Sequence, residues 1–86
     1  MIDDAKIRRQ LLATFPFLPP HAVEMEEFEH GDIVGVTMFD RETNQRVRAK
    51  ANGKGRTEAE IAADLEAQMR EWPVMKRRGG RPRKVA

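Results

Sequence analysis

The last eleven residues of the chain, KRRGGRPRKVA, hold its densest cluster of charged side chains of one sign. Residues 76–86 contain six lysines or arginines and no carboxylate. Residues 1–75 contain ten lysines or arginines against fourteen aspartates or glutamates, which gives them a net charge of −4. A terminal block of like charge is typical of an interaction arm, and a cationic arm attracts polyphosphate. The candidate phosphate-binding cations are Lys76, Arg77, Arg78, Arg81, Arg83 and Lys84.

A second set of cations alternates along residues 45–51, QRVRAKA. Arg46, Arg48 and Lys50 share one parity, and small apolar residues take the other. This period of two predicts a β-strand with one cationic face. Such a face can follow a row of phosphates or enter a major groove. It is also the ordinary solvated side of an antiparallel sheet, and both interpretations remain open at this point.

Carboxylates are concentrated just before these strands. They can pair with the cations of a neighbouring strand, and neither the carboxylates nor the cations would then be available to a partner. Alternatively, they can face a basic patch on a protein partner, as in a small inhibitor or adaptor of the kind that phages and plasmids encode. The residues concerned are Glu24, Glu26, Glu27, Glu29 and Asp32.

Residues suited to catalysis or metal binding are sparse. The histidines are His21 and His30, and the chain has no cysteine. A metal site needs three or four converging ligands, and a phosphate-binding loop needs a longer glycine-rich stretch than residues 53–55. We therefore expect a protein that is not an enzyme and that has no metal or cofactor.

The elements that must position these residues begin with a helix. Residues 2–14 have apolar side chains at helical spacing, Ile7 and Leu11 among them, and Asp3 or Asp4 can cap the start. Pro16 ends this helix, because the residue before a proline is pushed out of helical space. The apolar connection FPFLPP follows it.

Three strands are predicted next. IVGVTMFD and QRVRAKA are bounded by turn-forming residues and form the second and third. The first, VEMEEF at residues 23–28, needs a bulge near Glu26 and Glu27 to keep its apolar residues on one face. A short helix opened by Pro19 and Pro20 is the competing interpretation of residues 21–29.

The final element is a helix opened by a capping box. Thr57 and Glu60 have the spacing at which each side chain bonds the other's backbone amide. The apolar stripe that follows ends at Trp72, and Pro73 is expected to stop the helix there. Glu66 and Arg70 are placed to form an ion pair on its exposed side.

The sequence therefore predicts an α+β fold in αβββα order, with a three-stranded antiparallel sheet over residues 1–75 and a flexible basic tail over 76–86. The helices must cover one face of the sheet, since their stripes have nothing else to bury against. Arg46, Arg48 and Lys50 would then point outward. A homodimer is an additional way to cover any apolar surface left over.

The basic tail resembles an AT-hook over RGGRPRK, residues 78–84. That motif places arginine, glycine and proline in the minor groove, where a narrow A·T tract attracts arginine. The resemblance implies that Arg81, Pro82 and Arg83 approach the groove floor. Gly79 stands where the motif has its first arginine, so phosphate contact is implied more firmly than A·T selectivity.

The stretch GKGRTEAEIAA, residues 53–63, is similar to the last strand and helix of double-stranded-RNA-binding domains. That resemblance implies the αβββα layout. Glu58 and Glu60 stand where the family carries lysines, which argues against RNA binding in the family's manner. The layout also resembles the arm-type DNA-binding domains of phage integrases, whose sheet face enters the major groove.

These observations predict a small nucleic-acid-binding regulator, with DNA favoured over RNA. The N-terminus lacks the basic start and apolar run of a secretory signal, and the sequence has no stretch of about 20 apolar residues that could cross a membrane. We accordingly expect a cytoplasmic or nucleoid-associated protein. The inhibitor or adaptor that binds a host protein through its acidic first strand is the alternative.

Overall fold

A computed structural model describes residues 2–26 and 32–78 of the chain. For Arg77 and Arg78 it describes the backbone only. The helices are α1 (Asp4–Thr14), α2 (Glu58–Met69) and α3 (Pro73–Arg78), and a 3-10 turn covers Pro20–Ala22. The strands are β1 (Glu24–Glu26), β2 (Ile33–Asp40) and β3 (Gln45–Asn52). The predicted α+β class with a three-stranded antiparallel sheet is confirmed.

The sheet has the order β1-β2-β3, so β2 lies at its centre. A four-residue loop joins β2 to β3 between the paired residues Asp40 and Gln45. The Asp40 carboxylate accepts the Glu42 backbone N–H at 3.0 Å, and Asn44 takes a left-handed conformation with φ of 60°. Asp and Asn favour these local conformations, which explains why this polar sequence turns where it does.

The short first strand settles the ambiguity over residues 21–29 within the described part of the chain. The 3-10 turn Pro20–Ala22 opens at the proline pair, and the chain is extended from Val23 onward. Strand β1 then pairs Met25 with Val36. Both competing interpretations were therefore partly right. The expected bulge extends to Glu27, which lies outside the described residues.

The core lies between one face of the sheet and the helices. Helix α1 packs against α2, and α2 packs against β3 and β2. The two helices share a stripe of fully buried side chains, because their apolar residues recur at helical spacing and face each other. The central members of this core are Ile7, Leu11, Val36, Ala49, Ile61, Leu65 and Met69.

Both helix starts are capped as the sequence predicts. The Asp3 carboxylate accepts the N–H groups of Ala5 and Lys6. The Thr57 hydroxyl accepts the Glu60 N–H at 3.2 Å, and the Glu60 carboxylate accepts the Thr57 N–H at 2.9 Å. These caps satisfy backbone donors that the first helical turn leaves without partners.

Two further contacts hold α1 to α2. The Asp3 N–H donates to the Glu58 carboxylate at 3.1 Å, and the Thr14 hydroxyl donates to the Glu66 carboxylate at 2.8 Å. The expected ion pair between Glu66 and Arg70 is replaced, because the Arg70 guanidinium lies over the Phe15 ring, 5.4 Å from its centroid.

Gly53 allows the end of β3 to pass close beneath the N-terminal segment. Its N–H donates to the Asp32 carbonyl at 2.6 Å. A Cβ at this position would lie 2.5 Å from the Ile2 Cδ1 atom and 2.8 Å from the Ile61 Cδ1 atom, so the ends of both isoleucine side chains would have to shift to admit it. The residue therefore has a packing role in addition to ending the strand.

The C-terminal part of the described chain differs from the prediction. Helix α2 ends at Met69, Trp72 is buried in the bend, and Pro73 begins the additional helix α3. Proline suits the first position of a helix, whose N–H has no intrahelical partner. Val74 and Met75 are also buried, so the expected boundary between residues 75 and 76 falls inside α3.

None of the helices in the described residues is long and apolar enough to span a membrane.

Candidate nucleic-acid interface

The outer face of the sheet carries the cations of β3. Arg46, Arg48 and Lys50 are exposed on it, whereas the alternate residues Ala49 and Ala51 are buried beneath the helices. Strand alternation produces this arrangement directly, since successive side chains point to opposite faces.

Two ion pairs cross this face above the central strand. The Arg46 Nη1 atom lies 3.5 Å from the Glu24 Oε1 atom, and the Arg48 Nη2 atom lies 3.1 Å from the Glu26 Oε2 atom. Because β2 separates β1 from β3, each pair reaches across it diagonally, on either side of Thr37. Thr37 is on the outer face and is nevertheless only 2% exposed.

The acidic first strand and the basic third strand are consequently one surface. From the sequence they were two candidate sites, one for nucleic acid and one for a protein, or two strands whose opposite charges pair. The structure brings them together and sets Glu24 and Glu26 against Arg46 and Arg48. Exposed ion pairs contribute only about 0–1 kcal/mol each, so their main effect here is to balance local charge.

The outward edge of β3 is closed at Lys50 by a side chain of α2. The Lys50 N–H donates to the Gln68 Oε1 atom at 3.2 Å, and the Gln68 Nε2 atom donates to the Lys50 carbonyl at 2.7 Å. A glutamine amide thus replaces the missing fourth strand at this position, which protects the edge from pairing with another chain.

The first cations of the basic segment belong to α3. The Lys76 Nζ atom lies 3.2 Å from the Glu71 Oε1 atom, in a pair that is largely exposed on both sides. Arg77 and Arg78 continue the helix. The other predicted contacts of this segment, Arg81, Pro82, Arg83 and Lys84, lie outside the described residues, as do Glu27 and Glu29; Asp32 is exposed.

A cavity of about 380 Å³ opens where the 3-10 turn, the end of the β2–β3 hairpin and α3 meet. Phe39 is the large apolar side chain exposed there, at 44%. Phe39 was not among the candidate site residues predicted from the sequence. The available signal was parity: Val34, Val36 and Met38 face the core, so Phe39 must face outward. The lining comprises Pro19, His21, Ala22, Glu24, Met38, Phe39, Asp40, Arg41, Glu42, Arg46 and Val74.

Within residues 2–26 and 32–78, no three histidine, aspartate or glutamate side chains converge in a way that could hold a metal ion. His21 lines the cavity, and His30 falls outside the described residues. What the described surface offers chemically is ion pairing, hydrogen bonding and two exposed aromatic rings, of which Phe39 lines the cavity.

Comparison of the chain with protein-family models, with curated proteins and with solved structures finds no match. The arrangement of charges on this fold therefore has to support any proposal of function.

Proposed function

We propose that this chain is a small, non-enzymatic nucleic-acid-binding protein that contacts double-stranded DNA through the cations of residues 76–86. The observation that carries the proposal is the segregation of charge. Six cations without a carboxylate follow residues whose net charge is −4. Phosphate contacts supply most of the affinity in nonspecific binding, and a run of this density is their usual origin.

The pairing on the sheet supports the assignment of the main contact to the C-terminal segment. The Arg46 and Arg48 guanidiniums already face carboxylates of their own molecule, so a phosphate would have to compete with Glu24 and Glu26 for them. Together with Lys50, these arginines are proposed as a secondary contact that orients the bound duplex, while residues 76–86 provide the affinity.

The packing of helix α3 also supports the assignment of the main contact to residues 76–86. The buried side chains of Trp72, Val74 and Met75 fix this helix to the core, and Lys76 follows them directly. The basic segment thus starts from a fixed point on the domain. Bound phosphates would be held at a defined place relative to the sheet.

The proposal is tested by the salt dependence of binding. Fluorescence anisotropy of a labelled duplex titrated with the full chain should give a log–log slope of about −5, the value for six phosphate contacts at about 0.9 each. A full-length variant with all six cations of residues 76–86 changed to glutamine should lose measurable binding at moderate salt. Binding that survives this neutralisation would refute the assignment.

The inhibitor or adaptor alternative has a separate readout. A Glu24→Gln/Glu26→Gln variant removes the acidic surface and leaves residues 76–86 intact. The nucleic-acid proposal expects this variant to bind duplex at least as tightly as the parent chain, because the freed arginines add positive potential. Loss of duplex binding in this variant would contradict it.

A further inference from the structure

The cavity beside Phe39 is the part of the described surface that the proposed function does not yet use. Phe39 lies on the central strand, opposite Arg46 in the register, and nearly half of its side chain is exposed. Every nucleobase has a flat face, and stacking on an exposed aromatic ring is a common way for proteins to hold unpaired bases. A bound base requires an apolar surface for its flat face and a polar surface for its edge, and Phe39 provides the first of these.

The other surface is a polar rim of mixed charge, with three carboxylates and two guanidiniums among its residues. Arg41 and Arg46 line the cavity together with Glu24, Asp40 and Glu42. Glu24 is paired with Arg46, and the Asp40 carboxylate accepts the Glu42 N–H. A phosphate would meet more negative than positive groups here. A neutral base, whose edge has both donors and acceptors, matches this mixture.

Size and position agree with the same ligand. A volume of about 380 Å³ lies within the range of roughly 300–1,000 Å³ that is usual for small-molecule sites. Val74 of α3 lines the cavity, and Lys76 follows two residues later on the same helix. A base in the cavity would therefore lie against the helix in which the basic segment begins.

We propose that the cavity beside Phe39 holds one unpaired nucleobase of the nucleic acid bound by residues 76–86, a step that rests on the proposed function. A base within a duplex must leave the stack before it can enter, and this costs free energy. The chain accordingly discriminates among nucleic acids by structure. It prefers a duplex with an unpaired base to a perfectly paired one.

The test compares a labelled perfect duplex with the same duplex carrying one extra unpaired base, both titrated with the full chain. The expected preference for the bulged duplex is about 5- to 100-fold, the contribution of one base stacked on one aromatic ring. In the Phe39→Ala variant the ratio of the two affinities should fall to near one. Phe39→Leu, which keeps apolar bulk without the ring, should lose most of the preference as well.

The matched control is Phe17→Ala. Phe17 is the other exposed phenylalanine of the described chain, at 38%, and it packs edge-on against Phe15 rather than lining the cavity. This variant should keep the full preference. Equal loss in both variants would show a general effect of surface apolarity and would overturn the inference.

The failure of this inference is distinguishable from the failure of the proposed function. If the parent chain binds the perfect duplex with the expected salt slope but shows no preference for the bulge, only the base site is wrong. If neither duplex binds, both proposals are wrong.

Discussion

Two charged regions of this molecule differ in where their opposite charges come from. On the outer face of the sheet, Arg46 and Arg48 are matched by Glu24 and Glu26 across the central strand. Residues 76–86 contain no aspartate or glutamate, and Lys76 forms an ion pair with Glu71, which lies in the preceding bend. Strand register, more than the number of cations, therefore determines which cations are already paired within the molecule and which remain available to a partner.

The sharpest test of this comparison removes the same amount of charge from each region. Arg81→Gln/Arg83→Gln should weaken duplex binding on the order of 10- to 100-fold near 0.1 M salt and reduce the salt slope by about 2 units. Arg46→Gln/Arg48→Gln should weaken it by about 3-fold or less, because these arginines are proposed as a secondary contact only and phosphates must compete with Glu24 and Glu26 for them. Anisotropy titrations over a salt series measure both.

Equal losses from the two double variants would break the comparison. They would show that phosphates displace Glu24 and Glu26 and that the sheet face is a primary contact.

The second effect concerns the stability of the sheet at the outward edge of β3. Gln68→Ala should lower the free energy of unfolding by about 1 to 2 kcal/mol, because two backbone hydrogen bonds at Lys50 lose their partner. Gln10→Ala is the matched control, an exposed glutamine on α1, and should change stability by about 0.5 kcal/mol or less. Urea denaturation gives both values, and equal values would show that Gln68 has no role in holding the edge.

The third effect is the energetic coupling within the ion pairs. A double-mutant cycle on Glu26 and Arg48 should give about 0.2 to 1 kcal/mol, as expected for a pair near the surface. The same cycle on Glu71 and Lys76 should give less, because the Glu71 side chain is 76% exposed whereas that of Glu26 is 23% exposed. A larger coupling energy in the Lys76 pair would indicate that Glu71 neutralises the start of the basic segment and competes with a partner for it.

The smallest effect concerns a carboxylate in neither region. The Asp3 N–H and the amide of Glu58 itself hold the pKa of Glu58 below its ordinary value of 4.5. Its folded-state pKa is therefore depressed, so its contribution to stability is present above the unfolded pKa and is lost as pH falls through the folded one. A pH series of unfolding free energies for the parent chain and Glu58→Gln should show the difference fading toward acid pH; a constant difference would contradict this origin.

Local sequence signals were sufficient for most of the elements. The cap at Asp3, the capping box at Thr57 and the alternation in β3 each depend on residues a few positions apart. Such interactions form within one element, and their spacing is visible in the sequence. The order of elements and the outward face of β3 followed from them.

Features that join distant residues were not predictable in the same way. Pairing between the carboxylates of the first strand and the cations of the third was one interpretation of the sequence, but the individual partners depend on the register of a three-residue strand. Glu66 accepts a hydrogen bond from Thr14 instead of pairing with Arg70. Helix α3 was not predicted, because a proline can end one helix or begin the next, and the buried pair Val74 and Met75 that favours the second outcome is short. The cavity arises from three segments meeting, and no single stretch of sequence encodes it.

The anchoring of α3 makes the heat stability of the domain responsive to its ligand. Since Trp72, Val74 and Met75 belong to the core, the helix that bears Lys76 cannot melt independently of it. By mass action, a ligand that binds only the folded form stabilises it by about 2.7 kcal/mol at a concentration one hundred times its Kd. If the proposed contacts of residues 76–86 form only on the folded domain, duplex DNA should raise the melting temperature of the whole domain.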